Sequence, residues 1–217
     1  MVPTTDAHDH SHQATVSERY YRKYTKMLNL DLNNISSFSL IKQLVRAKET
    51  TLDVGCGIGY LSRLFENYIG IDTNIHALRI AKKHFPQREF IRASATKLPF
   101  KDKSFKYAVS YDCIEHIYDV RSFLLEMTRA SETSLIGSID FCSWYQIITK
   151  TVRHDSTHFF EFSQDQLVDL IGTYAKIDRI FFTCGVFSLP KRLNKFLAKY
   201  FPEYVLVIIH DMAHEKS

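Results

Sequence analysis

The chain has 217 residues, 45% of them hydrophobic and 24% charged, with a formal net charge of +4. A large apolar fraction with 16 Phe and 12 Tyr excludes a disordered chain, and 7 Gly with 5 Pro exclude collagen-like and low-complexity ones. No run of 18 apolar residues points to a membrane-spanning helix, and the mild positive charge permits an anionic partner without demanding one.

Residues 1–14 read as a flexible tail. His8, His10 and His12 alternate there, a pattern that can bind a metal, but a solvated tail is the preferred reading. The tail is polar and lacks the apolar stretch of a secretory signal. Four scattered cysteines (Cys56, Cys113, Cys142, Cys184) form no C-x-x-C pair, which fits reduced thiols and a cytoplasmic location.

Residues 15–217 read as one domain. Thr15-Val16-Ser17-Glu18 fits a capping box, followed by Tyr20, Tyr21, Tyr24, Met27 and Leu28 at helical spacing. Phe38, Leu40, Ile41, Leu44 and Val45 predict a second helix, so residues 15–47 are expected to form a helical lid. From residue 50 the pattern alternates. Strands are predicted at Thr50–Val54, Tyr68–Ile71, Glu89–Arg92, Phe105–Ser110 and Ser134–Phe141. Helices are predicted at Tyr60–Asn67, Ile75–His84 and around Val120, Phe123, Leu124 and Met127. Ser163-Gln164-Asp165-Gln166 is a second capping box, whose helix is expected to end at Gly172. Ile177–Cys184 and Tyr204–His210 read as strands, with a Pro-initiated helix over Pro190–Tyr200 between them. Repeated β-α units predict an α/β fold: a doubly wound, mostly parallel seven-stranded sheet with N-terminal helices.

Glycine is scarce, about 3% of the chain against about 7% in ordinary proteins, yet Gly55, Gly57 and Gly59 fall within five residues. They lie in Leu52-Asp53-Val54-Gly55-Cys56-Gly57-Ile58-Gly59, where a strand runs into a turn and then a helix. Such glycines let the backbone bend sharply and a ligand come close. Asp53 ends the first strand and Asp72 the second, both at the carboxyl edge where open α/β sheets bind ligands, and a carboxylate at Asp72 can accept both hydroxyls of a ribose. No G-K-[ST] follows, which excludes a P-loop.

These residues resemble the class I S-adenosylmethionine-dependent methyltransferases. The glycine segment matches that family's first motif, Ile71-Asp72 its second, and Leu98-Pro99-Phe100 with Ser104–Ser110 its later blocks. The resemblance implies S-adenosylmethionine as cofactor, held by Asp53, Gly55, Cys56, Gly57, Gly59, Asp72, Thr73, Ser94, Ala95 and Tyr111. Ser94 stands where the family usually has Asp, and Ser131-Glu132-Thr133 where it often has Gly before the fifth strand.

His116 and His158 are the candidate catalytic residues, as base or acceptor contact. Asp112, Glu115, His116 and His158 also resemble the ligand set of metal-assisted O-methyltransferases, a reading ranked below the metal-free one. The acceptor pocket is expected from the N-terminal helices and an insertion at residues 142–163, with Tyr20, Tyr21, Tyr24, Trp144 and Tyr145 as candidates. Lys191, Arg192, Lys195 and Lys199 on the Pro190–Tyr200 helix suit lipid headgroups or RNA, though a solvated surface helix is preferred. The expected function is methyl transfer to a small-molecule acceptor, at oxygen, without a nucleic-acid partner. The alternatives are metal-assisted 2′-O-methylation of RNA 3′ ends and an inactive cofactor-binding regulatory subunit. The sequence leaves the oligomeric state open.

Overall fold

A computed structural model describes residues 25–29, 31–32, 36–139, 158–160, 162–183 and 204–210. The expected tail, the Thr15–Glu18 capping box, Tyr20, Tyr21, Tyr24, most of the 142–163 insertion and the Pro190–Tyr200 helix lie outside the described residues.

Seven strands form one sheet: β1 (Thr51–Val54), β2 (Tyr68–Asp72), β3 (Glu89–Arg92), β4 (Phe105–Tyr111), β5 (Ser131–Ile139), β6 (Lys176–Thr183) and β7 (Tyr204–His210). Their order is β3-β2-β1-β4-β5-β7-β6. β1 to β5 run parallel, and β7 is antiparallel to both β5 and β6. This is the expected mostly parallel, doubly wound sheet. Strand order runs outward in opposite senses from β1 and β4, which places the topological switch point between these two parallel strands.

Both faces are covered. One carries Leu52, Val54, Ile71, Ala108 and Ile136, packed against α3 (Val120–Ala130) and α4 (Gln164–Tyr174) through Phe123, Leu124, Met127, Leu167 and Ile171. The other carries Tyr68, Val109, Tyr111 and Leu135. It packs against α1 (Ser36–Leu44) and a 3₁₀ turn (Tyr60–Leu64) through Phe38, Ile41, Leu61 and Leu64. Asp53 alternates with Leu52 and Val54, so it belongs to this second face. Caps set the helix starts. Asn74 accepts from His76 and Ala77 at the start of α2 (Ile75–His84), Asp119 accepts from Ser122 at α3, and the Ser163/Gln166 capping box opens α4 as predicted.

Several boundaries differ from the sequence expectation, most by a single residue, and three of the differences have a clear physical cause. The helix predicted over Tyr60–Asn67 is a 3₁₀ turn ending at Leu64, because the backbone of residues 66 and 67 serves the segment before β1. Glu66 N–H donates to Ala47 O (2.7 Å) and Thr51 N–H donates to Asn67 O (2.8 Å). Gly172 lies inside α4 rather than at its end. The helix runs to Tyr174, and Ala175 N–H closes it on Ile171 O while Tyr174 and Ala175 pack into the core. The fifth strand starts at Ser131, directly from α3, with no intervening glycine turn. Lys103, at φ 52, makes that junction. Its N–H donates to Arg129 O (2.8 Å), and its ammonium donates to Thr128 O (2.7 Å) and Ser131 O (3.0 Å). Lys103→Met should therefore lower stability by about 1–3 kcal/mol, the range for charged hydrogen bonds, read as a shift in the urea midpoint at unchanged slope.

Candidate functional site

The turn after β1 is held from two sides. Gly55 N–H and Cys56 N–H both donate to Ile71 O at the end of β2 (2.9 Å each). Gly57 N–H donates to Asp72 Oδ2 (2.9 Å), and the other carboxylate oxygen of Asp72 accepts from Asn74 N–H (2.7 Å). Asp72 thus pins the glycine turn to the start of α2 while each oxygen keeps a lone pair for a ligand hydroxyl. Burial raises the Asp72 pKa, opposed by these backbone bonds.

The glycines have two reasons rather than one. Gly55 (φ 77) and Gly59 (φ 75) hold left-handed backbone, as Gly57 does (φ 53). A Cβ at Gly55 would lie 2.3 Å from Cys113 Sγ, and one at Gly59 would lie 2.7 Å from the Phe90 ring. At those two positions the side chain's space is taken by the protein itself, not reserved for a ligand. The sequence reading missed this. Cys56 turns its thiol inward, against the space that a Cβ on Gly70 would occupy. Its burial and the neighbouring carboxylates push the thiol pKa well up.

Asp53 is 1% exposed. Tyr68 donates its hydroxyl to Asp53 Oδ2 (2.7 Å). Burial raises the Asp53 carboxyl to about 7, partly opposed by that hydrogen bond. Thr73 gives its carbonyl to Arg92 (3.0 Å). Ser94 is exposed, and its hydroxyl accepts from Thr96 N–H (3.2 Å), closing a tight turn that buries Ala95. Tyr111 is buried, hydrogen bonds Ser37 Oγ through its hydroxyl (2.7 Å), and stands edge-on to Phe38 (4.9 Å). It therefore locks α1 to the end of β4. Phe38, Ile41 and Val45, all buried, make the described part of the expected lid a packed wall.

Beyond β4 the chain crosses the glycine turn. Ser110 Oγ donates to Val54 O (2.8 Å), and Cys113 lies against Gly55. Asp112 takes left-handed backbone (φ 51), a rare conformation for a non-glycine residue. Among the described residues its Oδ1 is buried without a hydrogen-bond partner. Burial and the charge of Glu115 push its carboxyl well above the usual range. Glu115 is buried and accepts the hydroxyl of Ser138 from β5. Its carbonyl accepts the N–H groups of Phe159 (2.9 Å) and Phe160 (3.3 Å), which draws residues 158–160 alongside. The rings of His116 and His158 then meet edge to face at 4.5 Å, and those of Tyr118 and Phe159 at 5.9 Å.

The structure thus brings together the two histidines singled out by sequence. The four residues of the metal reading are not gathered in the same way: among the described residues no group of three or more His, Cys, Asp or Glu could hold a metal ion. The sequence reading missed Tyr68, Cys113 and Ser138. Tyr68 lies two residues before Gly70 and so on the sheet face of Asp53, but only the β1–β2 register, in which Asp53 pairs with Gly70, reveals this.

Glycine turn, the Asp72 carboxylate at the end of β2 and sheet order together define a Rossmann-like methyltransferase fold. Residues 52–133 match the model of a methyltransferase domain. Among solved structures, an S-adenosylmethionine-dependent methyltransferase of Thermotoga maritima superposes with a TM-score of 0.66. It is 18% identical and covers 90% of this chain and 98% of its own. Among curated proteins, a "Probable S-adenosylmethionine-dependent methyltransferase" of Mycobacterium tuberculosis is 27% identical over 148 residues, 64% of this chain and 52% of that protein. The phthiotriol/phenolphthiotriol dimycocerosates methyltransferase of the same species is 34% identical over 86 residues, 36% of this chain and 32% of that protein. The chain spans about half the length of the first curated relatives it matches. Residues 52–133 belong to the class I S-adenosylmethionine-dependent methyltransferases, and the sheet around them has that family's fold. No helix among the described residues is long and apolar enough to cross a membrane.

Proposed function

We propose that the chain transfers a methyl group from S-adenosylmethionine to a hydroxyl of a small-molecule acceptor, in the cytoplasm. The observation that carries this reading is the meeting of two clusters at the switch point. Asp72 pins the glycine turn on one side, and Cys113, packed on Gly55, leads into the His116–His158 pair on the other. Asp72 would take the ribose hydroxyls, Gly55 to Gly59 would line the donor, and Asp53 would lie under its methionine end. Thr73, Ser94, Ala95 and Tyr111 would complete its surroundings. The donor supplies an electrophilic methyl on a sulfonium, already an excellent leaving group.

The protein's remaining tasks are alignment, exclusion of water and removal of the acceptor's proton. An imidazole is suited to the last, and either His116 or His158 can orient the other. Buried, free Cys56 and Cys113 support a reducing compartment. The curated relative named for phthiotriol/phenolphthiotriol dimycocerosates supports a small-molecule acceptor over nucleic acid.

Calorimetry with S-adenosylmethionine, followed by transfer of labelled methyl to fractionated cell metabolites and RNA, tests the reading. Donor binding with label in a hydroxyl of a small molecule is expected, and label in RNA alone would refute the acceptor class. His116→Gln should slow transfer by about 10²-fold or more, in the range of general-base catalysis, at donor affinity unchanged within about twofold.

A further inference from the structure

We infer that Tyr68 is a positioning residue for the donor site: from beneath the glycine turn, its hydroxyl holds the Asp53 carboxylate as a fixed negative charge facing the cationic end of the ligand. This rests on the proposed use of S-adenosylmethionine, which carries a sulfonium and an ammonium group.

The geometry is specific to these residues. Asp53 Cα pairs with Gly70 in the β1–β2 ladder, and Tyr68 lies two residues earlier on the same face. Its ring is gripped by Phe65 (stacked, 6.4 Å) and Phe90 (edge-on, 5.9 Å), and it is only 6% exposed. The hydroxyl reaches Asp53 by passing over Gly70. A Cβ there would lie 2.7 Å from the Tyr68 hydroxyl and 2.9 Å from Cys56 Sγ. Gly70 is therefore the opening through which the phenol meets the carboxylate, 2.7 Å away. A buried carboxylate without such a donor takes up a proton instead of staying charged.

The groups facing Asp53 are Tyr68 and Asp72 from β2, Cys56 from the turn and Cys113 from beyond β4. None of them is cationic. Asp72 opposes the charge on Asp53, and both thiols are pushed up by their burial. Among these facing groups, the Tyr68 hydroxyl is thus the one that favours the anion. The nearby aromatic rings give a packing reason for Tyr68, but packing alone would be served equally by Phe.

Calorimetric titration of the full chain with S-adenosylmethionine between pH 6 and 9 separates the two roles. In the parent protein, affinity should rise about tenfold from pH 6 to 8 as the carboxyl ionises. In Tyr68→Phe the rise should move up by about one pH unit, with affinity about fivefold to tenfold lower at pH 7 and converging on the parent's at pH 9. Thermal melting of each variant confirms that it is folded. Asp53→Asn provides a second test that does not depend on the Phe variant folding, since it should flatten that component of the profile. A Tyr68→Phe profile that superimposes on the parent's, or a parent profile left intact by Asp53→Asn, overturns the inference alone. Absence of binding by the parent at every pH overturns the donor assignment and this inference with it.

Discussion

Asp72→Ala should weaken S-adenosylmethionine binding by about 10²-fold or more and should also lower the stability of the ligand-free protein. The two losses come from different bonds. Two hydroxyls accepted by a carboxylate amount to about 1.5–3 kcal/mol each, so losing both exceeds 10² in affinity. In the free protein the same carboxylate accepts Gly57 N–H (2.9 Å) and Asn74 N–H (2.7 Å), and alanine leaves both donors unanswered. An unsatisfied part-buried N–H costs about 1–3 kcal/mol, less where water can replace the carboxylate. Calorimetry reads the first loss and denaturant unfolding the second. Asp72→Asn keeps one acceptor oxygen and should fall between parent and alanine in both measurements. Donor affinity unchanged in the alanine variant would remove the ribose assignment, whatever the effect on stability.

Local signals carried most of the fold. Helix Ile75–His84 and strands Glu89–Arg92 and Tyr204–His210 have the predicted bounds, because apolar period, caps and breakers agree along each segment. The boundaries that moved depend on contacts distant in sequence. Lys103 starts β5 by capping α3, and the Ala47 and Thr51 backbone ends the Tyr60–Leu64 turn. The site divides in the same way. Asp53 and the glycines lie side by side in sequence, Asp72 ends the next predicted strand, and His116 and His158 stood out as residue types, so they could be listed. What each one does depends on sheet register and on chain crossing the switch point. Cys113 filling the Gly55 space and Tyr68 reaching Asp53 over Gly70 follow from strand pairing, which the sequence does not state.

Asp53→Asn should stabilise the ligand-free protein above pH 7 while weakening donor binding. In the folded chain the Asp53 carboxyl is raised from 3.8 to about 7, with burial as the largest cause. A raised carboxyl pKa means that the folded state holds its proton over a pH range where the unfolded state has lost it. Folding therefore loses stability as pH climbs from about 4 to about 7, and is penalised by a constant amount above that. Three units correspond to about 4 kcal/mol as an upper limit for this one buried group. Asparagine is nearly isosteric, can still accept the Tyr68 hydroxyl, and carries no charge to desolvate. Its melting temperature should exceed the parent's at pH 8, and the difference should shrink toward pH 4 and vanish below about pH 3, where the parent's carboxyl is protonated in both states. Saturating S-adenosylmethionine should narrow or reverse the gap at pH 8, since ligand binding stabilises only the protein that binds it. A variant less stable than the parent at pH 8 would mean that the carboxylate is held by more favourable contacts than the Tyr68 hydroxyl alone. The charge buried under the glycine turn is thus retained against stability, the pattern expected where a side chain is kept for a ligand rather than for the fold.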